Sequence, residues 1–394
     1  MKIKISESEY RRRLDHVRGE VEANNAGALV VFGAKQIAYL SGYHVVATER
    51  PMALVVPVQG ELVAFVPRLE VERVQSVPLI DEVWHYFEYP GQEPPVHRLV
   101  VHLEERGWAR GKLLADSDGY PSLWGYQGPK LSERLPQAQV EVTRLVNEMW
   151  EIKSPEEIEL IKHSAIWGNL AHVKLQRFTQ VGESEIEISL RASYEASREM
   201  LETLGPDYGG HSRGGWPTHA GFITGPNSAL PHAMNSNRLI RPGDVLITGA
   251  TGVIDGYTSE LERTMIVGQP TAEQRNFFEI MLEAQTAAIE AAEPGVPLAD
   301  VDQATRRVFE QHNVTNYAQH HTGHHLGWEG HEPPFIDRDA TGEMKPGQVY
   351  SIEPGLYLPG EAGYRHSDTI LVTEDGTELI TYYPRELEDL IVPV

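Results

Sequence analysis

The chain has 394 residues, 41% of them hydrophobic and 23% charged, a globular composition with material for two domains. Acidic residues outnumber basic ones by 57 to 34, and the resulting formal charge of −23 makes nucleic acid and anionic membrane surfaces poor partners. Cysteine is absent, which excludes disulfides, thiolate metal sites and cysteine nucleophiles.

Met1 to Glu20 is polar, carries the basic run Arg11-Arg12-Arg13 and lacks the apolar stretch of a signal peptide. No run approaches the roughly 18 apolar residues that read as a membrane span. A soluble, cytoplasmic protein is expected. Three valine-rich or otherwise apolar runs bounded by turn formers predict strands: Ala28 to Phe32, Met52 to Val56 and Leu62 to Val66. Leu69 to Gln75 and Pro95 to Arg106 predict helices, so the first part of the chain reads as a small α/β domain.

Ser154-Pro155-Glu156-Glu157 marks a helix start, with Ser154 as cap, Pro155 at the first position and Glu157 closing a capping box. Ser184 with Glu187 and Thr271 with Gln274 repeat the device, and the last of these helices is expected to end near Pro294-Gly295. Glycine-rich β segments from His219 to Val267 and from His320 to Thr381 separate and follow the helices. The second domain is therefore a few long helices on a large, mostly antiparallel sheet.

Four stretches of this domain carry the residues capable of chemistry. His232 follows the rigid Gly225 to Pro231 loop, which suits a proton carrier. Glu260 and Glu262, two apart, share one face of a strand and need a cation or a shared proton between them, unless they are a surface pair partnered by Arg263. Five histidines (His320, His321, His324, His325 and His331) offer metal ligands, proton carriers or packed polar groups. Glu353, between Ile352 and Pro354, reads as a buried carboxylate in need of a partner, and Tyr364 to Asp368 completes the set.

In order and spacing, these stretches resemble the creatinase, prolidase and aminopeptidase P superfamily over nearly the whole chain. Ile152 to Ile161 is similar to its domain junction, and Pro231-His232, Gly323-His324, Ile352-Glu353-Pro354-Gly355 and Gly363 to Thr369 to its site motifs. The resemblance implies an α+β protein: an N-terminal α/β domain over 1–153 and a pita-bread catalytic domain over 154–394. The latter is a curved, mostly antiparallel sheet covered by helices.

Metal-dependent members hold two divalent ions with two aspartates, a histidine and two glutamates. Carried over, the histidine is His324 and one glutamate is Glu353. The aspartates fall at Thr248 or Gly249 and at Glu260, and the last glutamate at Ser367. Two tightly held ions are not expected. Metal-independent creatinase resembles this chain in the glutamate at Glu262, which implies His232 as proton shuttle and Glu262 with Glu353 as grips on a cationic substrate. His324 and His331 complete the catalytic set, His331 standing where the family's peptidases use an assisting histidine.

By the same resemblance Arg50 reaches the site of a second subunit, which implies a homodimer acting on a small-molecule substrate. Glu260 and Arg365 are further substrate contacts, Arg365 toward an anion unless it forms an ion pair with Asp368. The leading expectation is a metal-independent, creatinase-like hydrolase of an amidino or amide C–N bond with no cofactor. The alternative is an Xaa-Pro dipeptidase or aminopeptidase with one manganese, zinc or iron ion on Glu260, His324 and Glu353. A third reading is a pita-bread protein that binds without catalysing.

Overall fold

The structure, a computed structural model, describes residues 3–206, 208 and 216–394. The chain divides between Trp150 and Glu151 into two compact units, residues 3 and 4 belonging with the second.

The first unit is built on a six-stranded sheet in the order β4-β3-β2-β1-β5-β6. Its strands are β1 (Ala26–Val31), β2 (Ala53–Pro57), β3 (Val63–Pro67), β4 (Glu82–Tyr86), β5 (Gly111–Ala115) and β6 (Ala138–Val142). Its longer helices are α1 (Glu7–Ala23), α2 (Ala34–Ser41) and α4 (Pro95–Glu105), with single turns α3 (Val71–Val74), α5 (Leu131–Arg134) and α6 (Leu145–Glu148). The pairs β1–β2 and β2–β3 are antiparallel, the remainder parallel. Strands β2 and β3 are buried at every residue, as unbroken apolar runs covered on both faces require. The three predicted strands match β1 to β3 within two residues at each end. Strands β4 and β6 escape a sequence reading because Glu82, His85, Gln139 and Glu141 interrupt their apolar runs.

The second unit opens on α7 (Pro155–Phe178), whose capping box is made as expected: Ser154 Oγ accepts the Glu157 N–H and Glu157 accepts the Ser154 N–H. Thr271 and Gln274 do the same at α9 (Ala272–Ala291). At α8 (Glu185–Leu204) only half the device forms, because the Ser184 hydroxyl donates to Asn237 while Glu187 returns no bond. Helix α10 (Leu298–Gln311) completes the set.

These helices accompany an 11-stranded sheet whose main path runs β13-β12-β14-β17-β10-β8-β11-β19. The strands are β7 (Thr218–Thr224), β8 (Val245–Ile254), β9 (Tyr257–Thr258), β10 (Leu261–Glu262), β11 (Thr264–Val267), β12 (Gly323–His325), β13 (Glu332–Ile336), β14 (Val349–Ile352), β17 (Ser367–Val372), β18 (Thr377–Leu379) and β19 (Ile391–Val392). A separate hairpin joins β15 (Gly355–Leu358) to β16 (Ala362–Arg365). Among the described residues, every pairing in the large sheet is antiparallel except β11 with β19. Leu175, Ala192, Phe222, Leu246, Met265, Phe278 and Met281 belong to one buried apolar cluster that joins helices to sheet. Among the described residues, no helix is long and apolar enough to cross a membrane.

Candidate active site

Register brings the predicted residues together. Leu261 pairs with Asp368 and Glu262 with Ser367, which sets β10 beside β17. On the other side of β17 lies β14, whose end delivers Glu353, and beyond it β12 carries His324. The Glu353 N–H donates to the Thr322 carbonyl at 2.7 Å, tying the carboxylate to the histidine strand. Gly323 must be glycine here: a Cβ would stand 2.0 Å from the Ser351 carbonyl oxygen. A cavity of about 560 Å³ results, lined by His232, Glu260, Glu262, His320, His321, His331, Glu353 and Arg365 among others.

Period-two alternation governs which charges meet. Glu260 and Glu262 face the cavity, whereas Arg263 between β10 and β11 turns to the opposite face and is fully buried. Arg263 there donates to Asp368 Oδ1 at 2.8 Å and to the carbonyls of Glu262, Ser367, Tyr383 and Pro384. Two expectations are thereby corrected. Arg263 does not partner the glutamate pair, and Arg365 does not pair with Asp368. Residues 365 and 368 lie an odd number apart and so face opposite ways along an extended chain. Arg365 instead grips Glu262 with Nε and with Nη2 at 2.8 Å, and Nε stands 3.8 Å from Glu353 Oε2.

His324 is fully buried and its orientation follows from its neighbours. Nδ1 lies 3.1 Å from the His325 carbonyl oxygen, which can only accept, so Nδ1 carries the proton. Nε2 therefore points toward the carboxylates that line the cavity, 3.3 Å from Glu353 Oε1 and 3.7 Å from Glu260 Oε2, aligned for a hydrogen bond with neither. The His331 ring stacks on it, with centroids 3.7 Å apart and planes at 12°. Burial alone would depress His324, but Glu353 and Glu260 outweigh it and lift the imidazole to about 9. Burial would raise Glu353, yet His324 and Arg365 hold it near 2. Glu260 is pushed up to about 8 by burial and by the Glu353 carboxylate, against the pull of His324.

Other histidines of the cluster have structural roles. His325 Nδ1 meets Glu332 at 2.9 Å, and Lys153 Nζ meets the same carboxylate at 2.6 Å, all three buried. A directed chain of hydrogen bonds escaped the sequence reading. Arg365 Nη1 donates to the Tyr357 hydroxyl at 3.0 Å, which leaves that hydroxyl to donate to His320 Nε2 at 2.8 Å, while His320 Nδ1 donates to the His321 carbonyl at 2.7 Å. Tyr357 carries no motif of its own, and its place four residues after Glu353 was the available signal. His232 is exposed at the cavity wall. Arg50 lies in the first unit, where Glu49 and Glu88 both engage its guanidinium.

The donor set fits one divalent ion better than two. Donor atoms sharing a tetrahedral ion at about 2.0–2.2 Å stand about 3.3–3.6 Å apart, which matches the spacing around His324 Nε2. Glu260, His324 and His331 form one group with ligand atoms within 4.8 Å of one another, and Glu260, Glu262 and Glu353 form a second. The ligand set expected from sequence is thus split between two groups that share Glu260. The positions expected to complete a dinuclear site offer no anion. Thr248 Oγ1 donates to the Arg263 carbonyl and accepts from Arg263 N–H and His172 Nε2, and Ser367 Oγ donates to Glu260 at 2.7 Å.

The sequence profile of metallopeptidase family M24 matches residues 159–374, and the creatinase/prolidase N-terminal domain matches residues 13–149. The chain belongs to the M24 metallopeptidase family, within the pita-bread superfamily, and is a hydrolase of carbon–nitrogen bonds. An uncharacterised peptidase of Staphylococcus saprophyticus is 28% identical over 377 residues, covering 95% of this chain and all of the relative. The dipeptidase PepE of Mycobacterium ulcerans superposes with a TM-score of 0.81 at 27% identity, covering 99% of this chain and 100% of that one. A prolidase of Thermococcus sibiricus gives 0.82 at 27%, covering 98% and 99%. These likenesses fit the peptidase alternative better than the creatinase-like, metal-independent expectation. The expectation that no metal is held is likewise unsupported, since two metal-capable groups are present.

Proposed function

We propose that this protein hydrolyses the amide bond of a dipeptide-sized substrate, Xaa-Pro dipeptides being the first class to test, with one divalent ion held by Glu260, His324 and His331. The observation that carries the reading is His324 Nε2: buried, fixed by its other nitrogen, and aimed between two carboxylates at ligand spacing. A bound manganese, zinc or iron ion would polarise the scissile carbonyl and lower the pKa of water. The chain's own groups do the rest. Glu353, buried beside His324, is placed to orient the attacking water, and exposed His232 to carry its proton to the leaving nitrogen. Likeness to the dipeptidase and prolidase above supports the substrate class.

Metal content and activity on Xaa-Pro dipeptides, before and after chelation, test the reading together. About one ion per chain is expected, with dipeptidase activity lost on chelation and restored by Mn²⁺. Full turnover in chelated protein would end the proposal.

A second reading is the metal-independent, creatinase-like hydrolase, favoured by the convergence of His232, Glu262 and Glu353 on one cavity. Cleavage of an amidino substrate by chelated protein is its distinguishing result. The homodimer belongs to the same proposal and requires Arg50 to leave Glu49 and Glu88. Light scattering should give twice the chain mass, and a fully active monomer would remove Arg50 from the site.

A further inference from the structure

The second metal-capable group already has a cation in it. Glu260, Glu262 and Glu353 place carboxylate oxygens within 4.8 Å of one another, a crowding relieved by positive charge or by a shared proton between them. Arg365 supplies the charge, with two nitrogens on the two oxygens of Glu262 and one nitrogen 3.8 Å from Glu353. Its side chain is only 11% exposed and is held from behind by the fully buried Tyr357 hydroxyl. Its backbone is fixed as well: the Arg365 N–H donates to Thr264 Oγ1 at 2.9 Å, and that hydroxyl donates to the Arg365 carbonyl at 3.0 Å. This guanidinium is built in rather than swinging on a free stem.

We infer that Arg365 is a resident cation that fills the place of a second divalent ion and so limits the centre to one. The inference rests on the single-ion reading above. It follows from charge as much as from geometry. With neutral Thr248 and Ser367 flanking the group, three carboxylates and one guanidinium leave room for one further divalent charge on the His324 side. A second ion would bring four positive charges against three negative ones in a site that already holds an arginine. A substrate consequence also follows. Glu262, the carboxylate suited to a substrate guanidinium, is already engaged by one on both oxygens, which disfavours guanidino compounds relative to neutral or zwitterionic amides.

Manganese stoichiometry after equilibrium dialysis of the full chain tests this without reference to activity. Wild type should hold one Mn²⁺, Arg365→Met two, and the double variant Arg365→Met/Glu262→Thr one again, because the third carboxylate is then gone. A folded Arg365→Met protein with the wild-type count overturns the inference. If wild type holds none and Arg365→Met holds one, the single-ion reading fails while the resident cation stands. Should Arg365→Met not fold, Glu262→Thr decides. It leaves the arginine charge unmatched beside Glu353, and Mn²⁺ affinity should fall at least tenfold. An unchanged affinity would sink the idea.

Discussion

Replacing His324 with glutamine is expected to abolish ion binding and to slow hydrolysis by about 10³-fold or more, since metal assistance contributes several kcal/mol to such barriers. The argument is positional. The imidazole is locked by the His325 carbonyl, so no rotation can substitute another atom, and the amide of glutamine cannot reproduce the in-plane lone pair of Nε2. His321 is the matched control. It lies 3.9 Å from Glu353, is partly exposed and is not fixed toward Glu260, so His321→Gln should cost less than about tenfold, well below the usual effect of removing a proton-transfer group. Metal analysis and steady-state kinetics on both proteins, with circular dichroism to confirm folding, give the comparison. Retention of ion and turnover in His324→Gln would remove the histidine from the centre.

The largest stability effect is expected behind the site. Arg263 is wholly buried and spends its donors on Asp368 and four carbonyls drawn from strand β10, the start of β17 and the segment Tyr383-Pro384. Arg263→Met would remove the shorter of the two ion pairs of the buried Asp368 carboxylate and leave those carbonyls short of donors. A cost of about 3–5 kcal/mol is expected, the range for breaking a buried pair by removing one partner. Asp368 keeps Gln285 and Thr381 as hydrogen-bond partners and Arg385 Nε at 3.7 Å as a second, more distant cation, which softens the loss and sets the expectation at the low end of that range. Replacing both members, Arg263→Met with Asp368→Leu, should recover much of the deficit, because the desolvation cost of the carboxylate disappears with it. Urea titrations of the three proteins measure this, and a change below about 1 kcal/mol in the single variant would contradict the assignment.

Much of this was legible in the residues, and the failures have particular causes. The start of α7 was readable because a cap, a proline and a glutamate act locally, without help from the fold. The shared face of Glu260 and Glu262 was readable for the same reason, since alternation is a property of the strand itself. The partner of Arg365 was not, because it depends on β10 lying beside β17 in a register that no local signal announces. Even so, the odd spacing from Asp368 argued against the pairing first expected. The metal expectation failed differently. Counting lost ligands at Thr248 and Ser367 weighed against any ion, whereas Glu260, His324 and His331 still meet at ligand spacing. Tyr357 and its link to His320 escaped notice because a hydrogen-bond chain has no pattern until its members are folded together.

The adjacency of β10 and β17 also has a consequence for how the protein is made. The Ser367–Glu260 hydrogen bond joins residues 107 apart, so β10 leaves the ribosome well before its neighbour exists. At a synthesis rate of about 5–20 residues per second, that interval lasts roughly 5–20 s. Throughout it β10 can pair with β8 on one side only, leaving an open strand edge of the kind that invites mispairing with other chains. The acidic side chains Glu260 and Glu262 line that edge. The same charges that later serve the cavity would then discourage a second nascent chain from docking there, until β17 arrives bringing Arg365 with it.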